Sequence, residues 1–334
     1  MQDSMQNLAS PGLPVRRRQL PGEFCMRFCL GSGRIRWLHR VPDARALAAR
    51  HGTVQHMPFC SVDTENGAPV YLHYEDHGEG RPVVLMHGWP ASERSWEQQI
   101  GSLVDRGYRV IAYDRRGFGR SAQPWDGYDY QTLARDLRLL IEYLDLSDVT
   151  LVGACMAGGE VVRYLAAYGP GRVSKAVLAG AAVPFPYRSY DNPEGWLDDA
   201  DIVRLTTGLS TDRLDVLDRL VAEMFRAGRR TDLVSEATLA YYRGIAAQAS
   251  AKATLDCVTA FARTDLRNDL AAVTVPTLII HGDSDAVFPN QASGARAHRA
   301  ISRSEAVVIP GGPHAVNVTH PRQFNRALLD FLAT

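Results

Sequence analysis

The chain has 334 residues, 46% of them hydrophobic, and its 37 basic and 37 acidic side chains give a formal net charge of zero. That length and composition suffice for a large core in one big domain or two small ones, while the balanced charge offers no general field for nucleic acid or an anionic membrane. Small-molecule chemistry is the better expectation; five scattered cysteines, an odd number, make no disulfide framework and fit a reducing cytoplasm.

Residues 1–56 are rich in arginine, poor in acids and interrupted by prolines and glycines. They show no lasting hydrophobic period, no amphipathic helix and no cleavage site, so they are read as an extension, disordered or outside the true protein, and not as a targeting segment. Cys25 and Cys29 have no second cysteine pair and His39 lacks metal-site spacing, so no zinc site is expected there. No apolar run reaches about 18 residues, and no membrane span is expected.

Organised sequence begins at Met57. "VYLHYED" alternates as a strand does, and "PVVLMHG", "YRVIAYD", "VTLVGA", "KAVLAGA", "TLIIHG" and "EAVVIP" are short apolar runs suited to buried parallel strands. Helices are expected between them. The clearest spans Tyr130 to Leu144, where Leu133, Leu137, Leu140, Ile141 and Leu144 recur at three- and four-residue spacing. Alternating strands and helices predict an α/β fold, a mostly parallel sheet with helices on both faces. From about 184 to 256 the strand signals give way to helical sequence, which reads as a cap over the carboxyl ends of the strands, where ligands of open α/β sheets bind.

Within "LVGACMAGGE", a strand turns sharply into a helix among small residues, with Cys155 at the apex. This is the architecture of a nucleophile elbow with cysteine in place of serine, and a helix N-terminus suits a thiolate. In "HGDSDAVFP" a strand ends at His281; Asp285 is the better candidate for an orienting acid, and Asp283 for bonding the turn backbone. In "IPGGPHAVNVTHP" the loop after the last strand carries His314, the candidate base, while His320 beside Pro321 opens the final helix. Cys155, Asp285 and His314 follow the nucleophile–acid–histidine order of such hydrolases.

Two backbone N–H groups are needed for a developing oxyanion. Met156 supplies one, and Trp89 in "MHGWPAS" the other, with Gly88 making room for substrate. His87 and His281 read as structural histidines satisfied by nearby backbone. "YDRRGFGRS" lacks the Gly-Lys-Ser/Thr of a phosphate loop, and is read as a turn in which Asp114 and the arginines bond each other and the backbone. Phe185, Tyr187, Trp196 and Tyr241 of the cap are candidates either for an apolar pocket or for packing.

On these motifs, residues 57 to 334 resemble the α/β-hydrolase superfamily, and within it the cofactor-free non-haem haloperoxidase and perhydrolase-like esterase group. The resemblance implies an eight-stranded sheet with a helical cap, a triad on Cys155, Asp285 and His314, no metal or organic cofactor, and a chain that begins at Met57. That group has serine at the apex and glycine where Ala157 stands. The expected function is acyl transfer through a thioester on Cys155, from a small ester, thioester or lactone to water, an amine or an alcohol. A haloperoxidase or perhydrolase, and a ligand-binding protein of the same fold without catalysis, are the alternatives.

Overall fold

A computed structural model describes residues 58–226, 230 and 232–334. The readings of residues 1–56, of their cysteines and of a start at Met57 lie outside the described residues. Strands β1 (Phe59–Glu65) and β2 (Ala68–His77) form an antiparallel hairpin. Its turn is Asn66–Gly67, both at positive φ, as a two-residue turn matching strand twist requires. β3 (Arg81–Met86), β4 (Tyr108–Tyr113), β5 (Val149–Ala154), β6 (Val173–Ala179), β7 (Thr277–Gly282) and β8 (Ser304–Ile309) complete one sheet in the order β1-β2-β4-β3-β5-β6-β7-β8. All pairings from β4 onward across the sheet are parallel, whereas β2 runs antiparallel to both its neighbours.

The central strands are apolar on both faces because both are covered. Val83, Leu85, Val110, Ala112, Val152, Val177 and Ile280 point one way, into a cluster with Trp96, Phe324 and Leu328. Their alternates Val84, Met86, Ile111, Leu151, Ala176 and Ile279 point the other way, against Leu133, Leu137, Val161 and Leu165. The helices carrying these partners are α1 (Glu97–Val104) with its preceding 3-10 turn, α2 (Tyr130–Tyr143), α3 (Met156–Tyr168) and the C-terminal helix Pro321–Ala333. Each fully buried aliphatic side chain contributes roughly 1.5–3 kcal/mol, so the strand ends that carry the site are rooted in the hydrophobic core.

Between β6 and β7 come α4 (Asp199–Thr211), α5 (Arg213–Met224), α6 (Glu236–Gln248), α7 (Ala251–Arg263) and the short α8 (Arg267–Leu270). The helical excursion therefore does not stop near Asp256, since α7 runs through it to Arg263. Side-chain caps start each longer helix: Asp198 and Asp201 form a reciprocal capping box on α4, and Asp212, Ser235 and Ser250 each accept a backbone N–H of the helix they precede.

The "YDRRGFGRS" turn is held differently from the sequence reading. Asp114 does bond backbone, accepting the N–H groups of Glu93 and Arg120 at 2.9 Å each. The arginine side chains, however, reach carboxylates elsewhere: Arg115 pairs with Glu160, Arg116 with Asp136 and Arg120 with Glu93. A buried guanidinium needs a carboxylate of its own, and Asp114 has its oxygens occupied. Among the described residues, no helix is long and apolar enough to cross a membrane.

Candidate active site

Four loops at the carboxyl ends of β3, β5, β7 and β8 converge. The elbow after β5 holds Cys155 at φ 54° and ψ −122°, a conformation rare for a residue with a side chain, immediately before α3. Close packing on both sides enforces it. A Cβ on Gly153 would lie 2.5 Å from the Ala157 carbonyl oxygen, and one on Gly88 would lie 2.7 Å from the Cys155 Cβ. The loop after β3 therefore passes directly against the thiol, as glycine alone permits.

Asp285, in the loop after β7, accepts three hydrogen bonds and lies within ion-pair distance of a second histidine. Its Oδ1 takes the N–H groups of Val287 at 2.9 Å and Phe288 at 2.8 Å, and its Oδ2 faces Nδ1 of His314 at 2.9 Å and Nε2 of His281 at 3.2 Å. Burial opposes its charge, but His314 and His281 outweigh that and hold the carboxyl well below the usual range. His314, after β8, lines one cavity wall together with Cys155, whose thiol donates to the Trp89 carbonyl at 3.8 Å. Burial would lower the pKa of His314, yet Asp285 and Cys155 together hold it well above the ordinary imidazole value. The three sequence candidates thus gather at one site, Asp285 bonded to His314 and His314 beside Cys155 on one cavity wall, and Asp283 is elsewhere, accepting the Gly311 N–H at 2.8 Å.

His281 is the residue that sequence reasoning undervalued. Its Nε2 does meet backbone, the Phe288 carbonyl at 2.8 Å, but it also lies on Asp285. The signal was the four-residue separation from Asp285 across a tight turn. His320 takes no part in this arrangement and precedes the final helix as expected, its Nδ1 on the Thr319 hydroxyl.

Cys155 and His314 border a cavity of about 70 Å³, room for a group of a few heavy atoms. Trp89 forms part of its wall, and Met156, the first residue of α3, has an N–H without an intrahelical partner. The cap contributes Met224, Phe225 and Tyr242 to the lining, with the Phe225 and Tyr242 rings 4.9 Å apart. The four cap aromatics singled out from sequence are not on that wall. Tyr241, next in sequence to Tyr242, points the other way and bonds Glu97. Phe185 and Tyr187 pack on each other, and Trp196 packs on Phe288. Successive helical positions lie about 100° apart, so the neighbour of a wall residue faces away from the cavity.

Residues 81–321 match a family model described as the alpha/beta hydrolase fold. A protein of Synechocystis sp., provisionally named a non-heme chloroperoxidase, is 47% identical over 280 residues, covering 83% of this chain and all of its own. The bifunctional esterase/perhydrolase DCH of Acinetobacter calcoaceticus is 34% identical, over 81% of this chain and 98% of its own. Among solved structures, bromoperoxidase from Bacillus anthracis superposes with a TM-score of 0.81 at 55% identity, covering 83% of this chain and 99% of that one.

Proposed function

Because the chain belongs to the alpha/beta hydrolase fold family, we propose that it transfers small acyl groups through a thioester on Cys155. The observation that carries this reading is that His314, bonded to Asp285, shares with Cys155 the wall of one small apolar cavity. His314 takes the thiol proton, and the sulfur attacks the carbonyl carbon of an ester, thioester or lactone. The N–H groups of Trp89 and Met156 meet the negative oxygen of the tetrahedral intermediate. As the intermediate collapses, the bond to the leaving group breaks and the His314 imidazolium protonates it. His314 then deprotonates water, or an amine or alcohol, which attacks the thioester and releases the thiol. Asp285 orients and charges the histidine throughout.

The test is the intact mass of the protein mixed with p-nitrophenyl acetate and quenched early. An acetyl adduct mapping to the Cys155 peptide, and decaying as product accumulates, is expected. Turnover with no adduct on that peptide would overturn the reading.

A second reading has the relatives' names behind it. Here hydrogen peroxide replaces water as the acceptor, forming a peracid that oxidises halide. Acylation at the elbow is common to both readings, and the acceptor divides them.

Cys155 is also expected to be alkylated before the other described cysteines. Burial pushes the Cys60 thiol up to about 11 and the Cys257 thiol up to about 12, so neither offers thiolate near neutral pH. Cys155 alone of the three borders the cavity. Peptide mapping after limiting iodoacetamide measures the order; Cys60 or Cys257 labelled first, with ester turnover intact, would count against the assignment.

A further inference from the structure

The Trp89 N–H can serve an oxyanion only if the Gly88–Trp89 peptide faces the right way, and what holds that peptide is the ring of His87. Nδ1 of His87 lies 2.8 Å from the carbonyl oxygen of Gly88, and Nε2 accepts the backbone N–H of Arg115 at 3.0 Å. An accepting Nε2 carries no proton, so in the neutral ring the proton sits on Nδ1 and is donated to Gly88. Burial, reinforced by the Arg115 charge, keeps the ring neutral by lowering its pKa to about 3.

The Gly88 carbonyl also accepts the Ala91 N–H at 3.0 Å, so two donors fix it. The Gly88–Trp89 peptide is trans, and in a trans peptide the N–H points opposite to the C=O. Turning the Gly88 oxygen toward His87 and Ala91 therefore turns the Trp89 N–H the other way. Behind the histidine stands a buried brace. The Arg115 guanidinium donates to the His87 carbonyl at 2.9 Å and to Glu160 of α3, also at 2.9 Å, and Glu160 accepts the Tyr113 hydroxyl at 2.5 Å. The loop after β3 and the helix that begins beside Cys155 are thus tied to one guanidinium.

We infer that His87 is a positioning residue for acyl transfer: as its Nδ1–H tautomer it clamps the Gly88 carbonyl, and so aims the Trp89 N–H at the oxyanion formed on Cys155. The inference rests on the acylation proposed above. It differs from a merely structural role in a way that can be measured, because an oxyanion forms when Cys155 attacks a carbonyl and does not form when it displaces iodide.

Two replacements separate the two ring nitrogens. His87→Asn places an amide donor where Nδ1 stood and keeps the clamp, whereas His87→Gln places its amide where Nε2 stood and loses it. Acylation by p-nitrophenyl acetate is expected to slow about 100-fold in His87→Gln, the cost of losing one oxyanion donor, with KM and the rate of Cys155 alkylation by iodoacetamide unchanged. His87→Asn is expected to recover most of that loss.

Wild-type acylation by His87→Gln, a parallel fall in acylation and alkylation, or an Asn variant as slow as the Gln variant would each overturn the clamp. Nitrogen chemical shifts of the isotopically labelled wild-type protein provide a check that does not depend on any variant folding. The protonated nitrogen of His87 is expected to be Nδ1, and an Nε2–H ring would refute the inference. If the wild type forms no adduct on Cys155, the proposed function fails, and the tautomer measurement still decides the clamp.

Discussion

Replacing Cys155 or His314 by alanine is expected to lower kcat/KM for a small ester by about ten-thousand-fold or more, and the double replacement is expected to cost little beyond either single one. The non-additivity is the informative part. A nucleophile and the base that deprotonates it act as a unit, so once either is gone the other has nothing left to contribute, and the residual rate comes from the oxyanion donors and binding. The fold should survive both changes. The strain at position 155 lies in its backbone, which alanine adopts as readily as cysteine, and His314 is held on a loop and not within the sheet. Melting temperature and steady-state kinetics on the three variants measure this together. Retention of more than a tenth of the activity by Cys155→Ala, or losses that multiply in the double variant, would place the nucleophile elsewhere.

Hydrogen peroxide is expected to inactivate ester turnover, and a thiol reductant to restore it. Cys155 and His314 share the wall of a cavity of about 70 Å³, which has room for peroxide. Transfer of one peroxide oxygen to the thiol gives the sulfenic acid and water, and excess thiol reduces this through a mixed disulfide. Cys60 and Cys257, buried and protonated, should remain reduced. A serine at position 155 cannot be oxidised in this way, so Cys155→Ser should keep its ester turnover under millimolar peroxide. The same samples, supplied with acetate and bromide, test the second reading. Sustained bromination by a protein whose Cys155 peptide stays unoxidised would establish peroxide as an acceptor in place of an inactivator.

Much of this architecture is legible in the sequence. The buried strands announce themselves because each is a short apolar run, and the parallel order follows from the helices between them. The sharp turn at Cys155 is visible because only small side chains let a strand pass so close to the helix it enters. β1 is the strand that this signal misses. Only one face of this edge strand is covered, with Cys60 and Val62 buried and Phe59, Ser61 and Thr64 exposed, so it shows no apolar run, although the Asn66–Gly67 pair is a usable hairpin signal.

By itself, then, the sequence determined seven of the strands, the mostly parallel sheet, the sharp turn at Cys155, and the placing of Asp285 and His314 on loops after strands, since each depends on residue type and local spacing. Only the tertiary structure decided which side chains meet. Arg115 finds Glu160 from 45 residues away, His281 joins His314 on one carboxylate oxygen, and Tyr242 faces the cavity while Tyr241 does not. The physical reason is that hydrophobic periodicity reports which face of an element is buried. A buried charge or ring nitrogen takes its partner from whatever the packing of distant segments brings within about 3 Å.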